Sequence, residues 1–152
     1  MENLGEFIVN HWILVTAFVV LAWLVLSDSI NRKLSGLQPL DATQAVTLVN
    51  QNKGKFVDVR SKEEFDKEHI ADSVNLPFAS LADEAGQLKN KSQPLVIVCA
   101  NGQRARSAAK QLRRQDFEQV YVLTGGLHAW KEAKLPYIGT DMATGAPQKM
   151  NG

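Results

Sequence analysis

The chain holds one cysteine, Cys99, and its neighbours set the first question. An apolar run, "PLVIVC", ends on it, and a polar stretch with a glycine and an arginine, "ANGQRA", follows. A cysteine beside Val-Ile-Val reads by default as a small buried hydrophobe. The following stretch supports a second reading, a nucleophile at a strand-to-helix corner. Successive backbone N–H groups in such a turn converge on one point, and the N-terminus of the next helix adds its own unpaired N–H groups. Both favour an anion at the Cys99 sulfur, and the thiolate is the reactive form of cysteine. The candidate cradle is Ala100, Asn101, Gly102, Gln103 and Arg104. Gly102 permits the tight turn and a close backbone approach, and Arg104 adds charge or closes the loop.

The same composition excludes several chemistries. One cysteine allows no intramolecular disulfide. His11, His69 and His128 lie far apart in sequence, so no zinc-binding spacing exists, and no metal or cofactor is called for. A formal net charge of +1 argues against a general nucleic-acid binder.

The elements that must position Cys99 alternate in type. Asp41 or Thr43 can cap a helix over "ATQAVTLVNQN", and Gly54 stops it. "KFVDVR" reads as a strand, and Ser61 with Glu64 forms a capping box for the short helix "SKEEFDKEH". "SVNLP" is extended. "PLVIVC" lacks alternation, as a strand buried on both faces does. "RARSAAKQLRRQ" is helical, "QVYVLTGG" is a further strand, and "LHAWKEAKLP" a last short helix. This order gives an α/β domain with a mainly parallel sheet flanked by helices. Ligands in such sheets bind at the carboxyl ends of the strands. Three strand ends then share a rim: Asp58 with Arg60, Cys99, and Thr124-Gly125-Gly126.

The segments "VDVRSKEEF", "HIADSVNLP", "VIVCANGQRA" and "VLTGGLHAW" resemble, in order, those of single-domain rhodaneses, and they span nearly all of residues 37–138. The resemblance implies a rhodanese-like fold and a sulfurtransferase that forms a persulfide. Cys99 would take the outer sulfur of thiosulfate or another sulfane donor and pass it to cyanide or to a thiol, on a protein or a small molecule. The N–H groups of Ala100 through Arg104 would hold the persulfide anion. The chain departs from the family pattern at Glu68 and Asp72, where glycines are usual. It also has Ala100, where some relatives carry arginine, which removes one anion contact. Phosphatases of the Cys-Arg loop type place five residues between Cys and Arg. Here four residues separate Cys99 from Arg104, position 105 is alanine, and Val98 precedes the cysteine.

Other residues read more plainly. Asp58 and Arg60 are first a scaffold, a carboxylate tying the loop and an ion-pair partner for a residue such as Glu64. Direct contact with the site is their second reading. His69 is a turn or core histidine, and Leu127 and Trp130 are core. Arg104, Arg106, Lys110, Arg113 and Arg114 form a solvated helix face, with anionic lipid headgroups as a second reading.

"WILVTAFVVLAWLVL", Trp12 to Leu26, has one polar residue, Thr16. Extended back to Phe7 it reaches twenty residues, about 30 Å as a helix, so one N-terminal transmembrane helix is expected. The acidic "MENLGEF" ahead of it does not suit a signal peptide. Arg32 and Lys33 follow it, which orients the rest of the chain to the cytoplasmic side of a bacterial inner membrane. The expected organisation is a transmembrane helix with flanks at 1–30, a linker at 31–39, a rhodanese-like domain at 40–138 and a flexible tail at 139–152. The lipid bilayer and other membrane proteins are then partners, and nucleic acid is not. A membrane-tethered, partner-binding scaffold with little catalytic role is the competing function.

Overall fold

In a computed structural model of the chain, residues 5–6, 9–34, 37–140 and 147–150 are described, with the backbone alone at 26–34. The chain divides into two compact units, Met1–Gly36 and Leu37–Gly152.

The first unit is built on helix α1, Trp12–Leu34. Thr16 folds its hydroxyl back onto the carbonyls of Trp12 and Ile13, so this polar group is satisfied within the helix. Among the described residues, no helix is long and apolar enough to cross a membrane. That finding overturns the expected single-pass anchor and its placement in a bacterial inner membrane with the domain on the cytoplasmic side. The physical reason is length. The fifteen-residue apolar run Trp12 to Leu26 covers only about 22 Å at 1.5 Å per residue, short of the roughly 30 Å of hydrocarbon. The helix then continues through Ser27, Asp28 and Asn31 to Leu34. The extension back to Phe7 passes through residues 7–8, outside the described residues, as do the linker positions 35–36.

The second unit is a five-stranded parallel sheet in the order β1-β6-β5-β2-β4. Its strands are β1 (Gln38–Leu40), β2 (Lys55–Asp58), β4 (Val74–Asn75), β5 (Leu95–Val98) and β6 (Val120–Leu123). The helices are α2 (Ala42–Asn52), α3 (Lys62–Lys67), α4 (Leu81–Glu84), α5 (Gln103–Arg114) and α6 (Gly126–Glu132). Asp41 caps α2 in a capping box with Gln44, and Ser61 caps α3 in another with Glu64. Each box satisfies N–H groups that a helix start leaves unpaired.

Strand β5 shows why its sequence lacks alternation. Leu95 and Ile97 pack into one core with Ala105, Ala108, Ala109 and Leu112 of α5. Val96 and Val98 pack into the other with Ala42, Ala45, Leu127 and Trp130. Successive side chains still point to opposite faces, but both faces are covered. Cys99, next in the alternation, falls on the α5 side.

The sequence reading did not anticipate a second, antiparallel sheet of β3 (Glu68–Ile70), β7 (Tyr137–Thr140) and β8 (Pro147–Met150). Its strands lack the β-branched runs that mark the main sheet. Of the tail expected to be flexible, Gly139 and Thr140 lie in β7 and Pro147–Met150 forms β8, while residues 141–146 and 151–152 lie outside the described residues. Asp72 takes a left-handed φ of 59°, a conformation Asp tolerates better than most residues. Glu68 is extended and pairs with Lys131.

Two strand-to-helix corners meet at the rim. The N–H of Leu127 donates to the Cys99 carbonyl at 2.8 Å, and that of His128 to the Ala100 carbonyl at 3.3 Å. Gly126 makes this approach possible, because a Cβ there would stand 2.1 Å from the Cys99 oxygen, and its φ is +59°. Gly126→Ala should therefore destabilise the domain by roughly 2–5 kcal/mol, from left-handed strain plus overpacking. Gly86→Ala, where nothing lies within 4 Å of the new Cβ, should stay within about 0.5 kcal/mol of wild type. Urea unfolding followed by tryptophan fluorescence checks both.

Candidate active site

The site is a loop closed around sulfur. β5 ends at Val98, and α5 begins at Gln103 with Gly102 as its N-cap in a left-handed conformation, φ 93°. That turn brings the Gly102 N–H to 2.9 Å from the Cys99 Sγ and the Ala105 N–H to 3.4 Å. Cys99 is 0% exposed. Two N–H dipoles thus point at a sulfur removed from water, where they act more strongly than they would in solvent.

The structure brings the expected residues together in different roles. Gly102 donates to sulfur, as expected. Ala100 is half-buried, and its carbonyl is held by His128. Asn101 is exposed, and its side-chain oxygen accepts from the Gln103 N–H at 3.2 Å, which braces the turn. Ala105 lay outside the expected set. Its side chain reads as core, and only the geometry of the first helical turn reveals its N–H as a second donor.

Arg104 closes the loop rather than pointing along it. Its guanidinium meets the Glu64 carboxylate of α3 at 3.3 and 3.4 Å. The Glu64 carboxylate also accepts from the Ser61 N–H at 3.0 Å. That backbone hydrogen bond, joined by the Arg104 charge and opposed by burial, holds the Glu64 carboxyl below its ordinary 4.5. Glu64 is visible in sequence as a helix cap, but its second bond spans 40 residues and leaves no local signal.

Asp58 and Arg60 form a buried pair, 1% and 4% exposed. Arg60 Nη2 donates to Asp58 Oδ2 at 2.7 Å, and Nε to Oδ1 at 3.0 Å. Arg60 also donates to the Glu68 carbonyl, and the Asn75 amide donates to the carbonyls of Asp58 and Arg60 at 3.1 and 3.0 Å. Asp58 sits opposite Val98 in the sheet register. The pair therefore ties β2, β3 and β4 together beside the site. The carboxylate Arg60 takes is Asp58, while Glu64 goes to Arg104.

His69 bonds the Phe65 carbonyl through Nδ1 at 2.8 Å and stacks on the Phe65 ring. Trp130 is buried edge-on against Phe56. Among the described residues, no group of three His, Cys, Asp or Glu side chains could hold a metal ion.

A buried cysteine with N–H donors aimed at its sulfur is arranged to hold negative charge there. Comparison with known proteins agrees in fold and sequence. Residues 41–133 match the rhodanese-like domain family. An uncharacterised Escherichia coli K12 protein, YibN, is 31% identical over 140 residues, covering 91% of this chain and 98% of YibN. The thiosulfate sulfurtransferase GlpE of Shewanella oneidensis is 36% identical over 100 residues, covering 66% of this chain and 98% of GlpE. The crystal structure of the Alr3790 protein from Anabaena superposes with a TM-score of 0.61 at 28% identity, covering 66% of this chain and 80% of that one. Matched over more than half its length, with the loop and both rim corners in place, the chain belongs to the rhodanese-like domain family.

Proposed function

We propose that the protein is a sulfurtransferase that carries sulfur as a persulfide on Cys99. The observation that supports this reading most directly is the pair of N–H groups, from Gly102 and Ala105, directed at Cys99 Sγ. In the first step the Cys99 thiolate attacks the outer sulfur of a sulfane donor. A sulfur–sulfur bond forms to Cys99, the donor's own sulfur–sulfur bond breaks, and its electron pair leaves with the remainder, sulfite in the case of thiosulfate. In the second step an acceptor nucleophile, a thiolate or cyanide, attacks the terminal sulfur of the persulfide. The Cys99 thiolate is then regenerated, completing a ping-pong cycle.

The cradle residues have separate tasks in this cycle. Gly102 and Ala105 hold charge at Sγ before attack and as the leaving group of the second step. The added sulfur sits about 2 Å farther along the S–S bond. Its negative charge then falls to the other N–H groups of the loop from Ala100 to Arg104. With one cysteine in the chain, the acceptor is a separate molecule.

Asp58 and Arg60 support the rim, and their role is mechanical. Asp58→Asn leaves the Arg60 charge buried without its carboxylate and should destabilise the fold by about 3 kcal/mol in urea unfolding. Intact-mass measurement after incubation with thiosulfate or another sulfane donor tests the chemistry itself. A labile gain of one sulfur, about 32 Da, should map to Cys99 and disappear on adding a thiol reductant. Cys99→Ser should gain nothing and reduce sulfite release to background. A wild-type chain that takes up no sulfur from any donor would remove the proposal.

A further inference from the structure

Several opposite-charge contacts surround the Cys99 loop. Arg60 is consumed by Asp58 inside the protein, and Arg104 faces Glu64. On the neighbouring corner, His128 lies 3.4 Å from Glu132, and Lys131 meets Glu68. The loop side chains from Ala100 to Gln103 carry no charge. The cation nearest the loop on α5 is the Arg104 guanidinium, which a carboxylate from another helix offsets, and Arg106 follows it as an exposed cation.

Thiosulfate is a dianion. A dianion arriving at this rim gains less attraction from Arg104 because the Glu64 carboxylate offsets its charge. A donor with little charge, such as an alkyl persulfide, loses nothing there. Resting on the sulfurtransferase reading, we infer that Glu64 is a specificity-determining residue that neutralises Arg104 and so selects low-charge sulfane donors over thiosulfate. The transfer from an alkyl persulfide balances as follows. The Cys99 thiolate attacks the outer, protonated sulfur. The bond between the two donor sulfurs breaks and its pair leaves on the alkyl thiolate. The proton passes to that thiolate, giving a free alkyl thiol and an anionic Cys99 persulfide.

Glu64 offers a clean test because its two tasks separate. Glutamine at N3 also completes a capping box, so Glu64→Gln keeps the bond to the Ser61 N–H while removing the charge that offsets Arg104. The experiment measures the second-order rate of sulfur loading on Cys99 in the full chain, by intact mass, at low and high salt. One donor is thiosulfate and the other is 2-hydroxyethyl persulfide, which carries at most one charge. Wild type should load faster from the alkyl persulfide. Glu64→Gln should raise the thiosulfate rate about three- to ten-fold at low salt, with the gain shrinking at high salt. The alkyl persulfide rate should change by less than about two-fold. The double variant Glu64→Gln with Arg104→Gln should lose the thiosulfate gain. Urea unfolding of each variant confirms that the fold is kept.

A thiosulfate rate unchanged by Glu64→Gln in a folded protein, or a gain that persists without Arg104, would overturn the inference while leaving the sulfurtransferase reading intact. Failure of both donors to load Cys99 in every variant would overturn both.

Discussion

The buried Cys99 sulfur has two N–H groups aimed at it, and the rest of this domain is arranged around that contact. The geometry demands a strand that ends at the nucleophile and a helix that starts within a few residues of it. β5 and α5 supply both, and Gly102 makes the turn between them with a positive φ. The carbonyl of Cys99 is fixed separately, by the Leu127 N–H of the next corner. Cys99 is thus gripped at its sulfur by one helix start and at its backbone by another. Shifting either corner by a fraction of an ångström moves the sulfur relative to its donors. Gly126 carries no Cβ for this reason.

Packing explains why the sulfur faces the correct helix. Side chains along β5 alternate between two cores, and Cys99 continues the series begun by Leu95 and Ile97. That parity delivers it to the side where α5 packs with Ala105, Ala108, Ala109 and Leu112. The small alanines let α5 lie close to the sheet, so its first-turn N–H groups reach Sγ. A larger residue at 105 would lift the helix start and lengthen the Ala105 contact, already the longer of the two at 3.4 Å. Core packing and the electrostatics of the nucleophile are therefore one constraint.

Much of this was legible in the sequence, for local reasons. The apolar run into Cys99, the capping boxes at Asp41 and Ser61, and the position of Gly102 are encoded within a few residues. The features that escaped are long-range. The Glu64–Arg104 contact joins residues 40 apart, and the β3-β7-β8 sheet pairs strands without strong β propensity. Ala105 contributes a backbone atom, which side-chain identity does not announce. Arg60 was expected to find a carboxylate such as Glu64, but the nearer Asp58 offers a bidentate partner two residues away. The N-terminal run failed for a different reason: its expected twenty-residue length counted back to Phe7, through residues 7–8 outside the described ones. The fifteen-residue run Trp12 to Leu26, apolar but for Thr16, is followed by Ser27 and Asp28, and no described helix is long and apolar enough to cross a membrane.

The charge arrangement links the scaffold to the chemistry. A buried ion pair such as Asp58 and Arg60 contributes little net stability over an apolar substitute, yet breaking it is severe. Its value here is that it braces three strands while presenting no net charge to the rim. Glu64 and Arg104 repeat the pattern across two helices, at partial exposure, where salt and substitution can tune them. With Arg60 and Arg104 each facing a carboxylate, the backbone N–H dipoles are the groups aimed at the Cys99 sulfur. Dipoles at short range act on the atom they face and little on a charge several ångströms away. Such a cradle favours a charge located on the transferred sulfur itself over one carried on the rest of the donor. The Cys99 persulfide anion has its charge on that atom, whereas thiosulfate carries much of its charge on the departing sulfite oxygens.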